Sequence, residues 1–202
     1  LGQPVVIENR PGAATRIAID AVVKSPADGY TFLVGTPSVV TGSMLYSNLP
    51  FDTKRDLVPV SLVSLTHYSM TVNAQVPAAN VAAFVALAKS NPQYVNTGSL
   101  GLGTATHLAG EWFASLSSAP LKFIHYNTST PFNDLISGQI SVMFEAVLPL
   151  MGNIKAGRLK MLAVTGKQRH ALFPDVPTFT EAGFAAYDPV VWIGVLAPAA
   201  TP

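Results

Sequence analysis

The chain has 202 residues, 49% of them hydrophobic and only 11% charged; this excludes a disordered segment, which needs low hydrophobicity and high charge, and the length allows one large domain or two small ones. Twelve basic against eleven acidic residues leave a net charge of +1 without a basic block, so a nucleic-acid backbone finds no electrostatic footprint. The lack of cysteine removes disulfides, thiol catalysis and cysteine–zinc sites, and no apolar stretch approaches the about 18 uninterrupted residues of a membrane span.

Sixteen Pro and fifteen Gly mark frequent turns and helix stops. Pro4–Glu8 reads as a short buried strand, followed by a turn at Asn9–Gly12. Ala13–Lys24 carries Ile17, Ala18, Ala21 and Val22 at helical spacing. Pro26–Gly29 ends that helix and Tyr30–Val34 reads as a strand. Strand, helix and strand in succession predict a layered α/β fold with parallel strands. Thr36–Leu49 shows no clear period, and Leu49–Asp52 reads as a turn. Val58–Leu65 and Ser69–Asn73 read as two strands. Asn80–Lys89 is an amphipathic helix with Val81, Phe84, Val85 and Ala88 on one face; Asn91-Pro92 stops it, and Tyr94–Thr97 is a short strand.

A glycine-rich loop, Gly98–Thr106, then runs into a helix whose buried face is expected at Leu108, Ala109, Trp112, Phe113 and Leu116. Leu121–His125 reads as a strand. Thr130-Pro131 opens a helix through Ile136, with Pro suited to the first turn. Gly138 closes it before the strand Ile140–Phe144, and Gly157 caps the helix Leu148–Ala156. Leu159–Thr165 is a further strand. The turn-rich remainder is expected to hold a short helix near Phe179–Ala182 and a strand at Val190–Leu196. No internal repeat is visible, and the grouping of elements before and after about residue 75 points to two α/β lobes.

Chemistry-bearing patterns are few. Gly98, Gly101 and Gly103 let backbone N–H groups converge, and the helix start after Thr104 leaves further N–H groups unpaired. That combination suits a phosphate or carboxylate; the bland alternative is a plain loop in which Thr104 or Thr106 caps the helix. Thr at 106, where a dinucleotide fingerprint needs Gly, and the lack of a following P-loop Lys disfavour a nucleotide. His107 lies in the first helical turn, where a positive ring is unfavourable; it is expected neutral, packing against or hydrogen-bonding the preceding loop, the alternative being a direct ligand contact. His67, His125 and His170 show no metal-ligand spacing to it, so no metal and no cofactor is expected. Glu145, after the strand Ile140–Phe144, stands where a parallel sheet places its ligand crevice; it accepts a ligand hydrogen bond or is simply solvated. It has no visible acid or nucleophile partner for general-base work. Ser99 is not a nucleophile elbow, because position 97 is Thr. Arg10 follows the first strand and either answers a ligand carboxylate or pairs with a neighbouring acid. Thr36 and Ser38, after Tyr30–Val34, supply neutral hydroxyls, while Trp192 and Phe113 are expected in the core.

Several stretches resemble one family: Pro4–Gly12 (PVVIENRPG), Pro26–Thr31 (PADGYT), Leu49–Asp52 (LPFD), Gly101–His107 (GLGTATH), His125-Tyr126, Asp134–Gln139 (DLISGQ), Val142–Phe144, Ile154–Leu159 (IKAGRL), Ala163–Thr165, Phe173–Thr178 (FPDVPT), Glu181–Gly183 and Ala197-Pro198. In that order the chain is similar to the solute receptors of tripartite tricarboxylate transporters, the TctC-like or Bug proteins of Bordetella and its relatives. The resemblance implies an α/β, two-lobed fold like that of periplasmic binding proteins, with mixed sheets flanked by helices. It implies lobes at residues 1–75 and 76–165, a return segment at 166–202, a periplasmic location and no catalysis. The implied ligand is a small carboxylate, held by Gly103, Thr104, Ala105 and Thr106, with Thr36 and Ser38 contributing from the first lobe and Glu145 at the cleft. The implied partners are the inner-membrane transporter subunits, with no nucleic acid. Family members usually begin with a further strand and continue past the equivalent of Pro202, so truncation at both ends and an incomplete first lobe are expected. Ala14-Thr15-Arg16 replaces the family's Gly-Gly-Asn, Tyr126–Ser129 its Tyr-Lys-Gly-Gly/Ser, and Val40–Met44 its His-Ala-Ile-Asn-Pro. Two rival readings stay open: a fragment that binds nothing and self-associates through an exposed sheet edge, and a small-molecule enzyme using Glu145 or His107.

Overall fold

The computed structural model describes residues 2–92, 95–126 and 131–202. The start of the expected strand 94–97, the motif at 127–129 and the helix opening at Thr130 fall outside them. A 3-10 turn at Ala13–Thr15 leads into α1 (Arg16–Val23), then β1 (Leu33–Gly35), α2 (Ser38–Leu45) and α3 (Thr53–Asp56). The long strand β2 (Leu57–Asn73) precedes α4 (Val81–Ser90), β3 (Asn96–Ser99), α5 (Ala105–Ser117), β4 (Lys122–His125) and α6 (Pro131–Ser137). The chain continues through β5 (Val142–Ala146), α7 (Val147–Lys155), β6 (Leu159–Val164) and β7 (Val190–Pro198).

The strands run in the order β1-β7-β2-β5-β3-β4, with β6 also on β2. Most pairings are antiparallel: β7 with β1 and β2, and β2 with β5 and β6. Among the strands of the described residues β3 pairs in parallel with β4 and β5, and a single parallel bridge joins Val164 of β6 to Thr178. The parallel fold expected from the first strand–helix–strand run is therefore corrected to a mixed one. β1 finds its partner in β7, more than 150 residues away, with Leu33 opposite Leu196.

β2 replaces the two separate strands expected at 58–65 and 69–73. Thr66-His67-Tyr68 contains no Gly, Pro, Asn or Asp to turn the chain, so the ladder continues. Its first part pairs with β7 from Leu57 to His67. Its second part, from Tyr68, lies between β5 and β6. Pro59, which has no N–H to donate, sits where the β2–β7 register slips. Pro4–Glu8 is not a strand: no strand among the described residues pairs with it, and Val5, Val6 and Ile7 are exposed. Apolar, β-branched composition does not make a strand without a neighbour to pack on.

The largest core lies around Phe113 of α5, which meets Phe144, Phe179, Phe184 and Tyr187 at ring distances of 5.3, 5.8, 5.2 and 5.6 Å. The buried stripe of α5 is Thr106, Ala109, Gly110, Phe113 and Ser117. Trp112 and Leu116, expected inside, are each 42% exposed. Gly110 explains the rotation: a Cβ there would meet Phe123 and Phe144, so the helix approaches the sheet along its small residues. A second core gathers Ile19, Val22, Leu33, Val39, Phe51, Leu57 and Leu196, with Trp192 packed against it. Others lie under α6 and α7. The helix expected near Phe179–Ala182 is a single turn. Thr178 and Glu181 cap each other as a capping box begins, the Thr178 amide donating to Glu181 Oε2 and the Glu181 amide to Thr178 Oγ1. Gly183, at φ +91°, then ends the turn.

Candidate functional site

The parallel strands β3, β4 and β5 end at one edge of the sheet, at Ser99, His125 and Ala146. In α/β sheets the crevice beyond such carboxyl ends is where ligands sit. The glycine-rich loop leaves β3 there, and α5 begins over the same edge.

Hydrogen bonds within the loop define what it can offer. Thr104 N donates to Gly101 O (3.2 Å), and Gly103 N donates to His107 Nδ1 (3.1 Å). His107 therefore carries no proton on Nδ1 and braces the preceding loop, as expected; its Nε2 lies 3.3 Å from Glu111 Oε1. Thr104 Oγ1 donates to Gly101 O (2.7 Å) and lies 3.0 Å from Thr106 Oγ1, which accepts the Leu100 amide at 3.0 Å. With its proton on Gly101 O, Thr104 can only accept from Thr106. Both hydroxyl protons are thus used inside the loop. The first intrahelical bond is Leu108 N to Thr104 O, so the amides of Ala105, Thr106 and His107 precede the ladder and have no partner among the described residues. Of the four residues singled out here, Gly103 and Thr104 spend their N–H groups on the loop, while Ala105 and Thr106 present theirs. Beside them Ser99 Oγ and His125 Nδ1 share a 2.8 Å hydrogen bond, and burial plus the neighbouring His107 hold His125 below the ordinary histidine range.

Glu145 lies inside β5 rather than after it, and it is buried rather than solvated, at 8% exposure. Its Oε1 accepts the Ala146 amide at 2.7 Å, while Oε2 is buried with no hydrogen-bond partner among the described residues. Burial pushes this carboxyl up to about 7 against the smaller, opposite pull of the Ala146 amide. Burial, and then the charge of Glu145, hold the neighbouring Tyr68 phenol above its ordinary value.

From the other side of the strand order, α2 reaches the loop. Thr41 Oγ1 donates to Gly103 O (3.1 Å) and Tyr46 OH donates to Leu102 O (3.3 Å). Gly103 has φ +77°, and a Cβ on it would collide with Leu45 Cδ1. Ser38, buried at 5%, begins α2 and precedes Thr41 by three residues, on the same helix face. Thr36 lies just before it and, with Arg10, Gly12 and Val39, lines a cavity of about 130 Å³. Arg10 itself pairs with Glu8 at 2.8 Å. Thr41 and Tyr46 escape sequence reasoning because 36–49 has no apolar period; Pro37, at the N-cap just before Ser38, is the local sign of the helix. A further pocket of about 490 Å³ lies among His67, Val147, Thr165, Arg169 and Asp188. Neither cavity is lined by Glu145 or by residues 103–106. Among the described residues no His, Cys, Asp or Glu cluster is placed to hold a metal, and no helix is long and apolar enough to cross a membrane.

A family model described as "Tripartite tricarboxylate transporter family receptor" matches residues 1–202. The chain is 35% identical over 204 residues to a protein of the tcbD-tcbE intergenic region of Pseudomonas sp. (strain P51), covering 100% of this chain and 61% of that one. It is also 35% identical over 204 residues to Protein BugT of Bordetella pertussis, covering 63% of it. The solved structure "R. palustris Rpa4515 with adipate" superposes with a TM-score of 0.93 at 32% identity, over 100% of this chain and 68% of that one. The chain thus spans about three fifths of the length of the curated relatives it matches.

Proposed function

The chain belongs to the tripartite tricarboxylate transporter family of receptors, and from that premise we propose that it binds a small carboxylate in the periplasm, without catalysis, and presents it to inner-membrane transporter subunits. The observation that carries the reading is the open first turn of α5. Amides at Ala105, Thr106 and His107, unpaired among the described residues, stand at the carboxyl edge of β3, β4 and β5. Amides so placed, with the positive end of the helix dipole, stabilise a carboxylate without a full counter-charge. The adipate held by the Rpa4515 structure is a ligand of that class.

In this reading Ala105 and Thr106 contact the ligand through backbone N–H groups, while Gly103 and Thr104 shape the loop that aims them. Thr36 and Ser38 face the ligand from the α2 side, and Glu145 closes the cleft. Residues 1–75 form a first lobe, 76–165 a second, and 166–202 a segment returning to the first. The separation of the core around Leu33 and Leu196 from the one around Phe113, and the passage of β2 from one set of partners to the other, support two lobes, with Tyr68, Met70 and Val72 of β2 and Phe179 and Tyr187 of the return segment packing in the core of the second.

Isothermal titration of the folded chain with linear dicarboxylates from malonate to adipate, and with aromatic monoacids, tests the reading. Saturable binding to at least one acid, weakened about tenfold or more by Thr106→Pro, which deletes an open amide, is the expected result. A folded protein that binds no member of the panel would sink it.

A further inference from the structure

We infer that Thr41 and Tyr46 are positioning residues for the bound carboxylate: from the α2 side they clasp the glycine-rich loop, orient its peptides and so set how long the anion stays on the first turn of α5. This deepens the carboxylate-receptor reading and rests on it.

The clasp joins segments far apart in the chain. Thr41 Oγ1 donates to Gly103 O at 3.1 Å across 62 positions, and Tyr46 OH donates to Leu102 O at 3.3 Å across 56. Leu45, beside Tyr46, fills the space that a Cβ on Gly103 would need. A trans peptide points its C=O and its N–H in opposite directions, so each hydroxyl fixes an amide as well as a carbonyl. In the peptide between Leu102 and Gly103, the oxygen accepts from Tyr46 and the N–H donates to His107 Nδ1 at 3.1 Å. In the next peptide, the Gly103 oxygen accepts from Thr41 and the Thr104 N–H donates to Gly101 O at 3.2 Å. Two successive peptides are therefore held at both ends, with their oxygens turned to the α2 side.

Electrostatics gives that orientation its consequence. A carbonyl oxygen carries partial negative charge, and Gly103, at φ +77°, lets the two peptides rotate at little steric cost. A flip of either one would place an oxygen where an N–H now stands, against His107 Nδ1 or Gly101 O, and those contacts would turn repulsive. The same loop sets the start of α5, because Thr104 Oγ1 donates to Gly101 O and Thr106 Oγ1 accepts the Leu100 amide. Holding the loop thus holds the amides of Ala105 and Thr106 in the direction an anion needs. Thr41 and Tyr46 spend their hydroxyl protons on main-chain oxygens, so they act on the anion through the loop and not by contact.

Tyr46 is itself seated from the first segment of the chain. The Arg16 guanidinium lies 3.9 Å over its ring, while Arg16 Nε donates to Ala13 O at 2.8 Å. Arg16, Thr41 and Tyr46 belong to the proposed first lobe and the loop to the second, so the clasp bridges the two. An anion that steadies the loop strengthens the clasp, and by linkage the clasp strengthens anion binding by the same factor. Its loss falls on release more than on capture.

The test combines calorimetric titration with stopped-flow dissociation, using malonate, succinate, glutarate, adipate and benzoate on wild type, Thr41→Val, Thr41→Ser, Tyr46→Phe and the Thr41→Val/Tyr46→Phe pair. Valine keeps the branched shape of threonine and phenylalanine keeps the ring under Arg16, so each change removes one hydroxyl. Thr41→Val and Tyr46→Phe are each expected to weaken binding about three- to tenfold, through faster dissociation, and the pair more than either. Thr41→Ser keeps the donor and wild-type affinity. In the free protein, amide hydrogen exchange is expected to quicken at Gly103 in Tyr46→Phe and at Thr104 in Thr41→Val, the amide that shares each freed peptide. Affinity and dissociation rate unchanged in the pair, a Thr41→Ser loss equal to that of Thr41→Val, or unchanged exchange at both amides overturns the clasp and leaves the receptor reading standing. No binding of any of the five acids by folded wild type overturns both.

Discussion

Ala13, Ala14 and Thr15 follow one another at φ of 48°, 51° and 72°, just after Gly12 at 119°. Left-handed backbone costs an L-residue roughly 1–2 kcal/mol, and a β-branched side chain such as Thr is least suited to it. The turn is held by Thr15 N to Gly12 O (3.1 Å) and by Arg16 Nε to Ala13 O (2.8 Å), with the Arg16 guanidinium stacked 3.9 Å over the Tyr46 ring. Ala14→Gly and Thr15→Gly are expected to stabilise the protein by up to about 1 kcal/mol each, Thr15→Gly more, because the relieved strain outweighs the extra freedom of glycine in the unfolded chain. Urea denaturation midpoints check this. Glu145 acts on stability with a definite sign. Its folded value near 7 lies above the ordinary 4.5, so its stabilising contribution is complete below pH 4.5 and lost as pH rises through 7. The loss amounts to about 3 kcal/mol. Glu145→Gln should remove that slope and be the more stable form above pH 7, as read by urea titrations from pH 4.5 to 8.

At the scale of elements, α5 shows how burial depends on which face is turned inward. Phe113 is fully buried among four aromatic rings, whereas Leu116 on the neighbouring stripe is half exposed. Phe113→Ala is expected to cost about 3–5 kcal/mol and Leu116→Ala less than about 1 kcal/mol, measured by the same denaturant series. The helix itself was legible from its apolar period, but its rotation was not. Thr106, Gly110 and Ser117 form the inner stripe because the ring of Phe123 demands a glycine beneath it. Local stop and start signals were read faithfully. Pro131 opens α6, and Gly138 and Gly157 close α6 and α7 at φ of 85° and 71°, while Asn80, expected as the first residue of its helix, caps α4 by accepting the Ala83 amide. Features without a local carrier are not legible: nothing in Thr66–Tyr68 marks β2 as one strand, Pro4–Glu8 has a strand's composition but no partner among the described residues, and α2 has no apolar period.

At the scale of the whole molecule, β2 is, among the described residues, the one element common to both sets of strands, joining β7 to β5 and β6. It also links the two cores, through Leu57 at one end and Tyr68, Met70 and Val72 at the other. The sequence by itself determined the α/β class, the glycine-rich loop running into a helix, and the ordered motifs that mark the family, because caps, turns and periodicity act over a few residues. Only the tertiary structure decided strand direction, since β1 meets β7 across most of the chain. It also decided the state of Glu145: a carboxylate in a loop is solvated, but β2, β5 and the start of α7 enclose this one and leave an oxygen unpaired. The same holds for the loop amides, since whether Gly103 and Thr104 keep theirs for a ligand or spend them on His107 and Gly101 depends on how α5 and α2 pack around them. Pairing and burial are relations between distant residues, and they are settled by packing rather than by local preference.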